Sequence, residues 1–545
     1  MEKDVEPWDR FRDWLHCICV VTFDLELGQA LEVIYPGDAI LSNTEKINIC
    51  YLAFPDSNSS NARDSNFHFR IRRAISDVRA CQKTFVDKSP SSLPFDAHYL
   101  YGFVHFRQCK DATIHRGYYQ KSIVLMSVLP LFSLFYSVTA RIAERFFENG
   151  EAAIEAACHH IDTWHQPQVG RSIELPLLGS LISCRLPAAC DLPYEFRLDG
   201  HVEVSDEGDS SQRLYRPDFT TPIVAHVHHV QLLWELVLLG EPLLIIGPTP
   251  AVTASLVQSI VGLLSPLRIV NDFRPYFTIH DSEFREYSSK SRTPPRVILG
   301  VTNPFFIKAL DHWPHILKVA ETGVELGGDD MKKTKKNWTG SSSRALDTPP
   351  GLYTQYKPFL SKDKSLAKKL LKSGNSAEVQ HNILQRHFLE LTQSFMIPME
   401  RYLSSLMPLR KEMSPFKGIP STRPFSMEDF LSSLDSNGGL YRRFITCSNF
   451  GGWLSMRSRD VNAQLKTHYI DALCSADFSN TTLSTKHNVE IVDLVLRIRE
   501  RVMEIHAENE TRHKLVRQIV KILSNVDDDL KQLLMSNCSL REIIS

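Results

Sequence analysis

The sequence predicts a mixed α/β protein that ends in an all-α part. Strand-like and helical runs alternate through the first 320 residues, and from Tyr353 on every periodic stretch has helical spacing. The chain has 545 residues, too many for one core, which favours about three to four domains. We therefore expect structured modules at 14–165, 223–320 and 351–545, with a linker at 187–222 and a flexible loop at 321–350.

The first module contains five strand-like runs rich in aromatic and β-branched residues. The segment HCICVVTFDLELGQALEVIYPG has two of them around a polar turn, which is typical of a hairpin; FHFRIRRAI, YLYGFVHFRQ and GYYQKSIVLMSV follow. Three helices are also predicted: SNTEKINICYLAF, LFSLFYSVTARIAERFFENG closed by Gly150, and EAAIEAACHHIDTW. The later run RSIELPLLGSLISCRL predicts one further extended element.

The central module alternates short apolar strands with helices. Solid apolar strands separated by helices indicate a mostly parallel, doubly wound sheet covered on both faces. The predicted order is helix VHHVQLLWELVLLG, strand EPLLIIG, helix TPAVTASLVQSIVGLL, strand YFTIHD, helix DSEFREY, strand RVILGV, helix NPFFIKAL and strand HILKV. The third module is predicted to be helical throughout, as in VQHNILQRHFLELTQSFMIPMERYLSSLM.

Composition limits the compartment and the partners. The net charge of −1 argues against a nucleic-acid partner and against adsorption to anionic lipid. The 11 cysteines are scattered without paired motifs, which is typical of reduced cysteines in the cytoplasm. The N-terminal residues have no apolar signal-peptide core. The most apolar run, Ser122–Ala140, contains Pro130 and several serines, so a strand, a turn and a buried helix are expected there instead of a membrane span.

Two segments resemble binding-site motifs but lack residues that those sites require. IIGPTPAVTAS resembles a phosphate-binding turn, but it lacks the second glycine and the lysine of a P-loop, and its prolines remove N–H donors. His226, His228 and His229 lie close in sequence, but no carboxylate or cysteine follows at ligand spacing, so no metal site is predicted. A cofactor is not expected either.

The segment DFRPYFTIHDSEFREY, at 272–287, places His280, Asp281 and Ser282 side by side. These are the residue types of a hydrolytic triad, but adjacent residues seldom reach the required geometry, and no GxSxG turn presents the serine. Asp281 followed by Glu283 instead matches the start of a helix, where carboxylates stabilise the first turn. The sequence therefore predicts a helix cap and no covalent or metal catalysis.

The same segment, with LLWELVLLGEPLLIIGPTP and SPL before it, resembles the central motif of the DENN domain family, and most closely its subfamily six. YLYGFVHFRQ and RGYYQKSIVL are similar to the upstream module of that family, and VILGVTNPFF and HWPHI to the end of the central one. FLELTQSFMIPMERYLSSLMPL resembles the start of its helical downstream module. The resemblance implies a longin-like α/β module, a doubly wound DENN module and a helical tail.

The resemblance further implies a guanine nucleotide exchange factor for a Rab GTPase, by subfamily Rab fourteen, in endosomal recycling. Such a protein is not an enzyme with bond-making chemistry. It would bind the GTPase preferentially in its GDP-bound or nucleotide-free form, and would be cytoplasmic, with peripheral attachment to recycling endosomes through partners. Two alternatives stay open: a non-catalytic Rab-binding scaffold or effector, and a GTPase-activating protein that presents an arginine to the nucleotide.

Five residues are candidates for contact with the GTPase. Arg107 and Arg116 stand at the ends of longin-type strands, and Arg274, Asp281 and Glu283 stand at the strand–helix corner of the central motif. Whether that corner touches the GTPase or only holds the fold together is left open by the sequence.

Overall fold

The computed structural model describes residues 7–544 except 25–27, 57–63, 91–92, 111–117, 190–200, 207–219, 291–292, 321–348, 373–374, 410–412, 435–437 and 506–508. Arg116, most of the 187–222 segment and nearly all of the 321–350 segment therefore lie outside the described residues. The chain divides into two compact units, Met1–Phe395 with Thr446–Phe450, and Met396–Ile445 with Gly451–Ser545.

The first unit begins with the predicted five-stranded sheet, in which neighbouring strands are antiparallel and the order is β2-β1-β5-β4-β3. Apolar residues line these strands because the sheet is buried on its core side. The strands are β1 (Cys17–Asp24), β2 (Gly28–Tyr35), β3 (Ser65–Arg72), β4 (Tyr99–Lys110) and β5 (Tyr118–Ser127).

Five helices accompany this sheet: α1 (Phe11–Trp14), α2 (Asn43–Leu52), α3 (Ala80–Lys88), α4 (Phe132–Asn149) and α5 (Glu151–Asp162). The predicted start of α2 is confirmed by a capping box, in which Ser42 and Glu45 satisfy each other's backbone N–H groups. Gly150, at φ 69°, closes α4 as predicted, because its left-handed conformation suits glycine. The apolar face of α4 packs on β4 and β5.

The segment after α5 forms a second, three-stranded antiparallel sheet of order β6-β7-β8. Its strands are β6 (Ser172–Leu177), β7 (Ser180–Arg185) and β8 (His201–Asp206). The prediction of one extended element here was wrong, because Leu178 and Gly179 both adopt positive φ, 51° and 81°, and turn the chain back as a hairpin. The strand β8 comes from the segment that was predicted to be a linker.

The third sheet, also five-stranded, has the order β10-β11-β9-β12-β13, and its first four strands are parallel. This confirms the mostly parallel arrangement. The strands are β9 (Leu243–Ile246), β10 (Asp272–Arg274), β11 (Val297–Val301), β12 (His315–Lys318) and β13 (Gly351–Thr354). The helices beside them are α6 (Thr221–Val224), α7 (Val230–Leu238), α8 (Pro250–Gly262), α9 (Phe284–Tyr287) and α10 (Phe306–Ala309).

Two element predictions for this sheet were wrong. The strand predicted at YFTIHD is formed by Asp272–Arg274 instead, because Pro275 cannot donate to the ladder and ends it. Gly351–Thr354, which was placed at the start of the helical module, pairs antiparallel with β12 and extends the sheet.

Helix α8 lies between the two five-stranded sheets. It contacts β3 of the first and β9, β10 and β11 of the other. Ten of its thirteen residues are buried, because a helix that is apolar on nearly every side has to be covered on every side. Its start is fixed by Thr249, whose hydroxyl accepts from the N–H of Val252, so the segment that imitated a phosphate-binding turn is a helix cap.

The remaining helices confirm the predicted helical C-terminal part. Leu494, Ile498, Leu515 and Ile519 belong to the apolar core of the second unit. The helices are α11 (Lys364–Leu370), α12 (Ala377–Ser405), α13 (Met427–Ser432), α14 (Gly438–Ile445), α15 (Ser448–Ser475), α16 (Asn480–Leu483), α17 (Asn488–Glu504), α18 (Glu510–Ser524), α19 (Asp528–Met535) and α20 (Cys538–Ile544). Among the helices of the described chain, none has the length and apolarity that crossing a membrane requires.

Candidate functional site

The segment at 272–287 joins the two five-stranded sheets. Strand β3 is an edge of the first sheet, β10 is an edge of the other, and the two edges contact each other. Charged side chains from both edges meet there. We call this cluster the junction and define it by Arg70, Arg72, Asp272, Arg274 and Glu283.

Arg274 is the most enclosed charge of the junction, with 1% of its side chain exposed. Its Nε donates to Asp272 Oδ2 at 3.0 Å, and its terminal nitrogens donate to the Arg70 carbonyl at 3.2 Å and to Glu283. Burial alone would lower the pKa of Arg274, but Asp272 and the other acidic groups around it raise it above its usual value. The guanidinium therefore stays charged, with carboxylates on two sides.

Arg70 reaches from the first sheet in the opposite direction. Its Nη1 lies 2.8 Å from Asp272 Oδ1 and 3.2 Å from the Phe273 carbonyl. The guanidinium also stacks on the rings of Tyr99 and Phe273, 3.6 and 4.2 Å from their centroids. Planar stacking with forked hydrogen bonds suits arginine and not lysine. Each sheet thus places an arginine among polar groups of the other.

Glu283 closes the network at its outer edge. One carboxylate oxygen accepts from Arg274, and the other lies 2.7 Å from Arg72 Nε. The side chain of Arg72 is 56% exposed, so this last pair is open to solvent and is screened. The buried charges of the junction are therefore Arg70 and Arg274, with Asp272 shared between them.

Asp281 is 5% exposed, and its Oδ1 accepts from the N–H of Glu283 at 2.9 Å. The prediction that Asp281 is the helix N-cap was wrong by two residues, because α9 starts at Phe284 and the Asp281 bond holds the turn before it. Burial raises the pKa of Asp281, and Arg274 opposes that shift. Asp281 stabilises the corner through this turn.

A second line of contacts links α2 to the corner. The Tyr276 hydroxyl is fully buried, accepts from the Asp56 N–H at 2.7 Å and donates to the Phe54 carbonyl at 3.0 Å. The side chains of Asn48 and Ser282 face each other at 3.5 Å. These bonds fix the end of α2 against the central sheet.

Exposed apolar or aromatic side chains stand on the elements that these contacts join: α2, the corner and the loop after β11. Tyr51 of α2 stacks on the exposed His280, with ring centroids 4.2 Å apart and planes at 15°. Ile47, one helical turn before Tyr51, is 51% exposed, and Phe305 is 49% exposed. Asn303, two residues before Phe305, donates to Asp56 at 3.3 Å. We call Ile47, Tyr51, His280, Asn303 and Phe305 the junction surface.

This geometry is not that of a hydrolytic triad. His280 stacks on Tyr51, Asp281 holds a backbone turn, and Ser282 interacts with Asn48. In the described part of the chain, no group of three or more histidines, cysteines and carboxylates could hold a metal ion. His226 is buried, and burial lowers its pKa to about 4.

The remaining candidates from the first module lie elsewhere. Arg107, near the end of β4, pairs with Asp64 at 2.6 Å, and its guanidinium lies over the Phe147 ring at 4.5 Å. Arg116 is outside the described residues. The structure thus brings Arg274, Asp281 and Glu283 together and leaves Arg107 apart from them.

Comparison with known proteins identifies the family. Residues 478–537 match the model of the DENND6 C-terminal domain. Chicken "Protein DENND6A" is 43% identical, covering 97% of this chain and 94% of its own length. Human "Protein DENND6B" is 42% identical with the same coverage, and the Dictyostelium discoideum "Protein DENND6 homolog" is 32% identical over 90% of this chain and 77% of its own length.

The chain belongs to the DENND6 family. This confirms the resemblance found in the sequence. Two junction residues, Arg70 and Asp272, were not among the candidates that the sequence suggested. The signal was present, because an arginine in the middle of the apolar run FHFRIRRAI must have an acceptor if both faces of that strand are buried.

We predict that Arg274→Met lowers the free energy of unfolding by about 3 kcal/mol, because Asp272 then keeps only Arg70, and Glu283 keeps only the exposed Arg72. Arg274→Lys, the matched control, keeps the charge and should lose less. Urea denaturation of both variants measures the difference. If the two variants lost equally little free energy of unfolding, the buried charge of Arg274 would not be what joins the sheets.

We predict that Asp281→Ala lowers the free energy of unfolding by about 1 kcal/mol through the lost turn bond, whereas Asp281→Asn keeps an acceptor for that bond.

The same carboxyl gives a pH dependence. Because the pKa of Asp281 is raised in the folded state, its ionisation costs stability, and this cost disappears as pH falls through that pKa. The wild-type melting temperature should therefore rise relative to that of Asp281→Asn between about pH 7 and about pH 4. A difference in melting temperature between the wild type and Asp281→Asn that does not change with pH would contradict this.

Proposed function

We propose that this protein is a guanine nucleotide exchange factor that promotes GDP release from a Rab GTPase. The observation that carries the proposal is the junction surface in a member of the DENND6 family: exposed residues on α2, the corner and the loop after β11, elements that a ring stack and hydrogen bonds join. By family resemblance the substrate is Rab fourteen and the route is endosomal recycling. The protein would act in the cytoplasm and attach to recycling endosomes through partners.

The module layout is part of this proposal. Residues 14–165 would be the longin-like upstream module, 223–320 the central DENN module and 351–545 the helical downstream module, with 187–222 and 321–350 as linker and loop. The antiparallel first sheet and the mostly parallel sheet beyond it suit the first two assignments.

Exchange requires no nucleophile, metal or cofactor of the exchange factor. A protein that binds the GTPase best in a state with loosened nucleotide accelerates nucleotide release by reciprocity. Weakening nucleotide binding a thousandfold requires about 4 kcal/mol of coupling, which an interface of ordinary size supplies. The partner would therefore be held most tightly when nucleotide-free, and next when GDP-bound.

The junction surface would contact the switch segments of the GTPase and displace the groups that order Mg²⁺ and phosphate. Ile47, Tyr51 and Phe305 offer apolar anchors, and the Tyr51–His280 stack presents a flat, preorganised face. Arg70 and Arg274 hydrogen-bond the two sheets to each other, so the two sides of this surface are already held together.

The five candidate residues then take two roles. Arg107 and Arg116 would contact acidic groups of the GTPase directly. Arg274, Asp281 and Glu283 would be positioning residues, since Arg274 and Asp281 are buried and act through the corner that carries His280.

The test is release of a fluorescent GDP analogue from a panel of purified Rab proteins, with and without the full chain. We expect at least one Rab, Rab fourteen by resemblance, to release nucleotide at least about tenfold faster. Tight binding without acceleration would favour the scaffold or effector alternative, and faster GTP hydrolysis would favour the activating protein. No acceleration on any Rab would overturn the proposal.

Variants of the same assay locate the surface. Phe305→Asp and Ile47→Asp should abolish most of the acceleration of GDP release. Each variant replaces an exposed apolar anchor by a charged side chain, which the interface with the GTPase would have to desolvate. Phe359→Asp, at 47% exposure outside the junction surface, is the matched control and should keep full activity.

Charge reversal at Arg107 or Arg116 should weaken GTPase binding with the fold intact. Unchanged rates in both arginine variants would show that neither arginine contacts the GTPase.

A further inference from the structure

The helical C-terminal part has an open apolar groove that the exchange proposal does not use. It lies between the first turn of α17 and α19 and has a volume of about 440 Å³. It is lined by Asn488, Val489, Val492, Asp529, Leu530 and Leu533. All six belong to the 478–537 segment that matches the DENND6 C-terminal domain.

Two of the lining residues are unusually open for their type. Val489 is 78% exposed and Leu533 is 61% exposed, whereas Leu530 between them is buried. Leu530 and Leu533 are three residues apart on α19, so they face the same side of that helix. A groove with a buried floor and two exposed apolar rims has the form that receives an apolar side chain of a partner.

The rim of the groove is acidic. Asp527, Asp528 and Asp529 are consecutive and exposed, and none of them pairs with a cation in the described chain. Glu490 stands at the start of α17, where it caps the His487 N–H. The helices α17 and α19 both begin at the groove, and each helix dipole contributes only about +0.5 charge at its N-terminus. The three aspartates and Glu490 carry four negative charges, which outweigh these dipoles.

The cations near the groove do not neutralise this rim. Lys486 lies over the Phe416 ring, 4.9 Å from its centroid. Lys531 is exposed on α19 and adds a single positive charge. The groove therefore combines an apolar floor with a negative surround, which disfavours an anionic membrane and favours a cationic ligand.

We propose that this groove binds a basic amphipathic helix of a partner protein. Leucine-type side chains of that helix would enter between Val489 and Leu533, and its lysines or arginines would lie along Asp527–Asp529. Recognition of this kind uses apolar anchors one helical turn apart, with flanking charge setting the orientation. The inference does not depend on the exchange activity.

The test uses the full chain and two fluorescein-labelled helical peptides, one with leucines at i, i+3, i+4 and i+7 among lysines, and one with the same leucines among glutamates. Fluorescence anisotropy should show that the lysine peptide binds at least about tenfold more tightly, and that added salt weakens it. A scrambled lysine–leucine peptide, which has the charge without the stripe, should bind no better than the glutamate peptide.

Variants assign this binding to the groove. Leu533→Asp and Val489→Asp should each weaken the lysine peptide about tenfold, and Asp528→Lys with Asp529→Lys should shift preference toward the glutamate peptide. Met503→Asp is the apolar control, since Met503 is 62% exposed about four turns along α17 from the groove. Glu500→Lys is the charge control. Both controls should bind as the wild type does.

Three results would overturn the proposal. One is equal affinity for the two leucine-striped peptides. Another is binding that the Leu533 and Val489 variants leave unchanged while the fold is intact by circular dichroism. The third is a concentration-dependent dimer in light scattering that Leu533→Asp abolishes, because it would show that a second copy of this chain occupies the groove.

Discussion

Two buried arginines joined to one shared aspartate hold the first part of this molecule together. Arg70 comes from the edge of the antiparallel sheet and Arg274 from the edge of the mostly parallel one, and Asp272 accepts from both. Removing either arginine takes away one of the two buried cations that Asp272 accepts from, and a partly enclosed carboxylate that loses such a partner destabilises the fold. Separating the sheets would expose the same charges together with the apolar faces of α8. The two sheets therefore behave as one body, and the corner at 281–287 inherits its position from them.

This constraint explains how a surface without reactive groups can have a function. The exposed residues of the junction surface stand on elements that hydrogen bonds hold in place: Asn48 holds α2, Tyr276 holds the chain just after it, and Arg274 and Asp281 hold the corner. A preorganised surface loses little conformational entropy on binding, so more of its binding energy is available to distort a partner. An exchange factor needs that property more than it needs a nucleophile.

The sequence predicted the element types well where the hydrophobic period was long. The capped helix α2, the glycine-closed α4 and the apolar α8 all follow from local patterns. The predicted strand bounds were wrong where a single residue decided whether a strand continues. Pro275 ends β10 early, and the positive φ of Leu178 turns one expected strand into two. The candidate site was half predictable. The charged corner was visible in the 272–287 segment, but its partner Arg70 lies some 200 residues away, and no local pattern encodes a pair at that separation.

The most direct test of the central claim is amide hydrogen exchange of the full chain, alone and mixed with a nucleotide-free Rab whose nucleotide release it accelerates. If the junction surface is where the GTPase docks, protection should increase in α2, at 43–52, and in the two loops at 279–284 and 302–306, because these segments carry the exposed anchors. Protection confined to other segments, with these three unchanged in the complex, would contradict the account.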